Sequence, residues 1–385
     1  MTIVNSDHTP INKDIPVNKP LLNGNKKKYL IDCIDSGWIS SGGGFVCDFE
    51  KKFAAYNNRQ YGVAVSNGTV GLEIAVKSLG IQEGDEVILP AFTIISCALA
   101  VVKTGAVPVL IDADPHTWNM DINGIKEKIS SRTKAIMVVH IYGFPVDMDP
   151  VLKLARKYNL KIIEDAAEAL GGLYKGKVCG SLGDISVFSF YPNKHITTGE
   201  GGMILCNDKN LANDCRSYRN LCFESQKRFY HKRLGWNARM TNMQAALGLA
   251  QLEQIEKFLQ KKKKMGRYYQ NSLSTISKVQ LPLSKTSYAD NCYWVFGLVI
   301  KDNKERNAQQ AMKFLKRRGI GTRPFFYPMH KQPVFKELGL FRNESFPVAE
   351  HPAEFGFYIP SGLGLTEEDM AYIVRGVKEY FDESV

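Results

Sequence analysis

Three short segments hold the residues whose types and order could do chemistry together. The first reads Ser66-Asn67-Gly68-Thr69 and lies between an apolar run and a helical pattern. Amides that head a helix have no carbonyl partner, and the helix dipole favours negative charge, so such a turn can receive a phosphate. Gly68 lets the backbone come close and Thr69 offers a hydroxyl, although a plain N-cap uses the same letters. The second segment, 162–168, reads IIEDAAE. Asp165, ending an apolar run, could hold a cationic ring nitrogen, and the alanines leave room for a flat ring. Acidic residues at the positive end of a helix are the competing explanation. The third segment, 188–202, sets Lys194 between a strand end and a glycine-rich return. A lone lysine is usually a solvated cation. Beside a carboxylate and a phosphate cradle it becomes a Schiff-base amine, and those three anchors are what pyridoxal phosphate requires.

The elements around these segments must bring them to one place. Short apolar runs at 61–65, 86–89, 107–111, 135–139, 161–164, 185–188 and 203–205 read as strands, with helical patterns between several of them, notably 148–158. That alternation predicts an α/β sheet covered on both faces, whose ligands bind beyond the carboxyl ends of the strands. A helix is expected at 26–36, a glycine-rich loop at 42–44, and a long helix from 241 to about 269. Beyond 282 the texture changes: a strand near 293–300, then helices at 309–318 and 367–381. The chain therefore divides into an N-terminal flexible arm (1–15), a large domain (16–265) and a smaller C-terminal domain (266–385).

Composition sets the bounds. With 385 residues, 44% of them apolar and 23% charged, the chain is neither disordered nor a disulfide-stapled scaffold. The formal charge is +11, and the run of lysines at 261–264 reads as a solvated helix face. No alternation of aromatic and basic residues suggests stacked bases, so no nucleic-acid partner is expected. Eight cysteines without a CxxC pair point to buried thiols in a reducing compartment. The polar N-terminus and short apolar runs predict neither a secretory signal nor a membrane span, leaving the cytoplasm as the expected location. Seven histidines without an HExxH or other compact spacing predict no metal site.

From about residue 15 to 381 the letters resemble those of sugar aminotransferases of the DegT/DnrJ/EryC1/StrS type, which act on nucleotide-linked keto-sugars. The resemblance rests on GWISSGGGFVCDFE (37–50), VSNGTVGLEIAVKSLGIQEGDEVILPAFT (65–93), GAVPVLIDAD (105–114), IIEDAAEALG (162–171), FSFYPNKHITTGEGG (188–202) and GWNARMTNMQAALG (235–248). It implies the aspartate-aminotransferase-like fold (fold type I), with a large mixed-sheet α/β domain, a smaller C-terminal α+β domain, and pyridoxal 5′-phosphate as cofactor. Lys194 then resembles the catalytic lysine that bonds the cofactor and moves the proton. Asp165 resembles the partner of the ring nitrogen, Glu168 a residue near the ring's 3′-oxygen, and Phe92 the aromatic stacked on the ring. Gly68, Thr69 and Ser189 match phosphate donors. Asn237 matches a phosphate contact reaching in from another subunit, which implies a homodimer with a shared active site. One lineage puts histidine at the lysine position and becomes a dehydratase; here Asn193-Lys194-His195 keeps the lysine.

For the substrates, the resemblance implies L-glutamate as amino donor and a nucleotide-linked keto-sugar as acceptor. Trp38, Arg219, Arg239, Arg323, Tyr327 and His330 are the implied substrate-binding residues. The segment RPFFYPMHKQP (323–333) resembles the branch that aminates C4 of GDP-4-keto-6-deoxy-D-mannose, a step of lipopolysaccharide O-antigen biosynthesis. UDP- or dTDP-linked keto-sugars are the alternative, because Leu221-Cys222-Phe223 departs from the histidine-glycine that often follows the Arg219-Asn220 pair.

Overall fold

The computed structural model describes residues 13–382 apart from 225, 228 and 302–306. Seven strands form the central sheet: β1 (Tyr61–Val65), β2 (Glu86–Pro90), β3 (Val107–Ile111), β4 (Thr133–Val139), β5 (Lys161–Asp165), β6 (Ile185–Ser189) and β7 (Gly202–Cys206). Their spatial order is β1-β7-β6-β5-β4-β2-β3. Only β7 runs against its neighbours, pairing antiparallel with both β1 and β6. Most of these strand residues are buried, as expected where helices cover both faces.

That topology places the three chemical segments side by side. Val65, Asp165 and Ser189 end β1, β5 and β6 at one edge of the sheet. Because β7 is reversed, its first residue, Gly202, lies at the same edge opposite both Val65 and Ser189. A Cβ on Gly202 would come within 2.7 Å of the Asn67 carbonyl, so only glycine lets the two turns close on each other.

The small domain is built on a four-stranded antiparallel sheet. Its strands are β8 (Val279–Gln280), β9 (Phe296–Ile300), β10 (Arg323–Pro324) and β11 (Gly356–Ile359), in the order β8-β9-β11-β10. The helix expected at 241–269 is two helices, Asn242–Leu252 and Ile255–Leu273, broken at Glu253–Gln254. The second crosses the expected boundary at 265. Its Ile255, Phe258 and Leu259 pack in the core beneath β6 and β7, while Met265, Tyr269 and Leu273 belong to the small-domain core.

Two further expectations change. Of the expected arm, 1–12 lies outside the described residues, and Ile15 is buried and bridged to Ile320, exchanging hydrogen bonds with Gly319 and Gly321. In the lysine run, Lys262 is buried rather than solvated and donates to the Trp294 and Ser361 carbonyls. The run looks uniform in one dimension, but at helical spacing one of four adjacent residues turns inward. All eight cysteines are free thiols, and only Cys47 is exposed. No helix among the described residues is long and apolar enough to cross a membrane, and none of their His, Cys, Asp and Glu side chains cluster as a metal site.

Candidate active site

At the shared sheet edge lies a cleft of about 370 Å³ lined by Gly68, Thr69, Asp165, Glu168, Ser189 and Lys194, with Trp294, Phe326 and Tyr358 closing it from the small-domain side. Lys194 sits in a turn whose amide donates to the Tyr191 carbonyl. Its Nζ lies 3.7 Å from the centroid of the Trp294 ring and 3.7 Å from Oε1 of Glu168. Burial lowers the proton affinity of this amine, and the carboxylates of Glu168 and Asp165 pull it part of the way back.

The two carboxylates are held differently. Glu168 takes the Tyr142 amide at 2.8 Å, and burial raises its pKa to about 7 against the pull of Lys194. Tyr142 adopts a left-handed backbone (φ 54°) and accepts the Phe326 amide on its hydroxyl, so it links Glu168 to the small domain. Asp165 is buried, which raises its pKa. The Ala167 amide at 3.1 Å, the Cys97 thiol at 3.2 Å and the charge of Lys194 favour its ionised form. Glu164 points the other way, as strand alternation requires. It accepts the amides of Gly180, Leu182 and Gly183 and pairs with His140 and Arg59, so its role is structural.

Opposite the amine is a cradle. The Asn67 side chain caps the helix Gly68–Ser78 through the Val70 amide, and Gly68 and Thr69 head that helix. The Thr69 hydroxyl lies 2.8 Å from that of Ser96, and a Cβ on Gly68 would stand 3.1 Å from the Ser189 Cβ. His195, next to Lys194, points into the interior. Burial pushes its pKa down to about 3, so it is neutral there, with Nε2 3.4 Å from the Cys292 carbonyl.

The expected site residues fall in different surroundings. Phe92 does not reach the cleft: it is fully buried against Tyr142, Phe325 and Phe326, and Ile94 lines the cleft instead. None of Trp38, Arg219, Asn237, Arg239, Arg323, Tyr327 or His330 lines the cleft of its own chain. Arg219 is tied to the Glu50 carboxylate and the Ala64 carbonyl. With Arg216 and Arg239, which donates to Asn220, it lines a second depression of about 640 Å³. His330 is buried against Phe346 and bonded to Glu350 at 2.8 Å, in a third depression. Asn237 and Trp38 are exposed. Arg323 is in register with the cleft residue Tyr358 and lines a separate depression with Asp14 and Lys313, and Tyr327 follows the cleft residue Phe326 in the chain. Ser96, Trp294 and Tyr358 were missed, since no local motif marks them and only the fold brings them to the cleft; Phe326 was passed over although it lies inside the 323–333 segment.

An amine between two carboxylates at one end, and hydroxyls with helix-heading amides at the other, fit the aldehyde, ring nitrogen and phosphate of pyridoxal phosphate. Sheet and site together define a pyridoxal-phosphate enzyme of fold type I. The model of the DegT/DnrJ/EryC1/StrS aminotransferase family matches residues 20–378, and the chain belongs to that family. It is a pyridoxal-phosphate-dependent aminotransferase. It is 42% identical to a GDP-perosamine synthase of Escherichia coli O157:H7, covering 96% of this chain and 100% of the relative. A GDP-perosamine synthase of Caulobacter vibrioides is 40% identical over 95% and 98%. Among solved structures, the aminotransferase TlmJ of Streptoalloteichus hindustanus is similar, with a TM-score of 0.87 and 28% identity over 94% of this chain and 97% of that one.

Proposed function

We infer that the enzyme transfers the amino group of L-glutamate to C4 of GDP-4-keto-6-deoxy-D-mannose, giving GDP-perosamine and 2-oxoglutarate. The observation that carries this reading is the near-full-length match to two GDP-perosamine synthases, joined to a cleft that keeps Lys194 and Asp165. The product suits a pathway to a surface polysaccharide such as O-antigen. Free thiols at all eight cysteines suit the cytoplasm.

When bound, the cofactor's protonated ring withdraws the electron pair left as a proton departs from the amino-bearing carbon. The chain supplies everything around that event. Lys194 Nζ is the group that would bond the cofactor and, once released, hold and move a proton beside it. Burial lowers the proton affinity of this amine, the direction that favours its use as a base. Asp165 would offer its carboxylate to the ring nitrogen, and Glu168 lies 3.7 Å from Lys194. The Gly68 and Thr69 amides with the Ser189 hydroxyl would take the phosphate. Trp294, Phe326 and Tyr358 line the cleft and would narrow the access of water to the amine.

The working unit in this reading is a homodimer. Asn237 is exposed and outside its own cleft, which suits a residue that serves the neighbouring one. Ile31, Ile34, Trp38 and Ile39 are exposed close together in sequence, an apolar surface that a second copy would cover. In this reading Arg323 and Tyr327, with Arg239 from the second copy, would meet the nucleotide diphosphate.

The test is incubation with glutamate and GDP-, dTDP- and UDP-linked 4-keto-6-deoxy sugars, with products identified by mass and NMR. Nitrogen moved to C4 of the GDP-mannose derivative supports the reading. Amination of only a dTDP- or UDP-linked sugar would move the assignment to that nucleotide, and deoxygenation without amination would end it.

A further inference from the structure

Lys262 is 3% exposed, and no carboxylate among the described residues pairs with it. An unpaired ammonium inside a protein is costly unless its donors are used. Here they go to two carbonyls on separate segments: Trp294, on the approach to β9, at 2.7 Å, and Ser361, in the turn after β11.

Each acceptor starts a chain of contacts that ends on the backbone just before Lys194. Trp294 donates its indole N–H to the Asn193 carbonyl at 2.8 Å, and its ring faces the Lys194 ammonium. Ser361 donates its amide to the Val17 carbonyl at 3.0 Å. The next residue, Asn18, donates its side-chain amide to the Pro192 carbonyl at 2.8 Å. Of the two peptide carbonyls ahead of the reactive lysine, that of Asn193 is held directly by Trp294, and that of Pro192 by the 17–18 segment, which Ser361 in turn holds.

We propose that Lys262 is a positioning residue: by tying Trp294 to Ser361 it makes one support of both segments, and that support fixes the turn from which Lys194 presents its amine. The catalytic consequence rests on the aminotransferase reading; the restraint on the turn belongs to the chain alone. A residue acting in this way touches neither substrate nor cofactor, yet a small loss of orientation at the amine lowers turnover.

Hydrogen exchange on the full chain, with and without cofactor, is the direct test. Lys262→Met keeps the volume of the side chain and removes its donors. Amides of 191–196 should exchange about 10-fold faster while β4 and β5 stay protected. In the holoenzyme kcat should fall about 10-fold with KM for the nucleotide sugar nearly unchanged. Asn18→Ala and Trp294→Phe each cut one arm and leave Lys262 in place, so they should loosen the same turn, and they carry the test if Lys262→Met does not fold. Unchanged exchange at 191–196 in the folded variants overturns the proposal, as does faster exchange spread over the small domain with the turn untouched. A wild-type enzyme that aminates no sugar would defeat the functional reading and leave the exchange result standing.

Discussion

The Glu168 carboxylate and the Lys194 ammonium lie 3.7 Å apart, with side chains only 5% and 12% exposed. Each is moved by burial toward its neutral form and by the other toward its charged one. Glu168→Gln removes the anion and leaves the burial, so Lys194 should give up its proton at lower pH. The pH midpoint for cofactor uptake by the cofactor-free protein, which needs the free amine, should move to the acid side. A midpoint moved upward would contradict this coupling. Stability offers an independent check. A carboxyl raised from 4.5 to about 7 stabilises the fold below its unfolded value, and that contribution disappears as pH rises through about 7. The Gln variant should lose this part of the slope in denaturation curves taken between those values.

Lys194→Ala should lower transamination about 100-fold or more, since the only amine among the described residues that line the cleft is gone with it. The visible absorbance of the lysine-bound cofactor should vanish while far-UV circular dichroism stays unchanged. The side chain lines a cleft and fills no core, so loss of fold is not expected. Retained turnover would remove Lys194 from the mechanism.

At the cradle, Ser189→Ala deletes one hydroxyl offered to a phosphate. A hydrogen bond to a charged group is worth about 1.5–3 kcal/mol, so cofactor affinity should fall about 10- to 100-fold. Gly68→Ala should act by sterics, its new Cβ standing 3.1 Å from the Ser189 Cβ in the space a phosphate needs. Equilibrium cofactor titration measures both. If neither variant weakens binding, the phosphate lies elsewhere.

Glu164 and Asp165 show how far the sequence could be read. As neighbours at a strand end they look alike, but strand alternation sends only Asp165 to the cleft and buries Glu164 behind the sheet. Burial works against the ionised Glu164, yet His140 and the Gly183 and Gly180 amides still hold its pKa below the ordinary value. Its contribution is present above about pH 4.5 and is lost as pH falls through the depressed value. Glu164→Ala, which leaves three amides without their acceptor and takes the partner charge from Arg59, should cost about 3–5 kcal/mol in chemical denaturation. A cost within experimental error would mean water replaces it.

The strand pattern, the cradle, the lysine and Asp165 were legible because each is local: an apolar run, then a turn with its own letters. The unread part is long-range. Trp294 and Tyr358 meet Lys194 only after the small domain packs back, and no spacing in the chain encodes that. Lys262 was hidden inside a run of identical letters, where only its position on the helix separates it from its neighbours. The pairing of Arg219 with Glu50 was likewise hidden, because 169 residues separate the two in the chain.

Phe92 and Ile94 make the sharpest contrast between likeness and geometry. The resemblance put an aromatic ring against the cofactor at Phe92, but this ring is sealed among Tyr142, Phe325 and Phe326, and two residues later Ile94 stands 39% exposed at the cleft. Phe92→Leu should therefore behave as a core truncation, costing about 1–3 kcal/mol of stability with cofactor affinity nearly intact. Ile94→Ala should do the reverse, leaving the melting temperature within a degree or two and weakening cofactor binding about 10-fold through lost apolar contact. Both are read from the same pair of measurements, thermal unfolding of the cofactor-free protein and cofactor titration. A Phe92 variant that keeps its stability and loses the cofactor would return the stacking role to position 92 and show that the aromatic cluster rearranges when the ring binds.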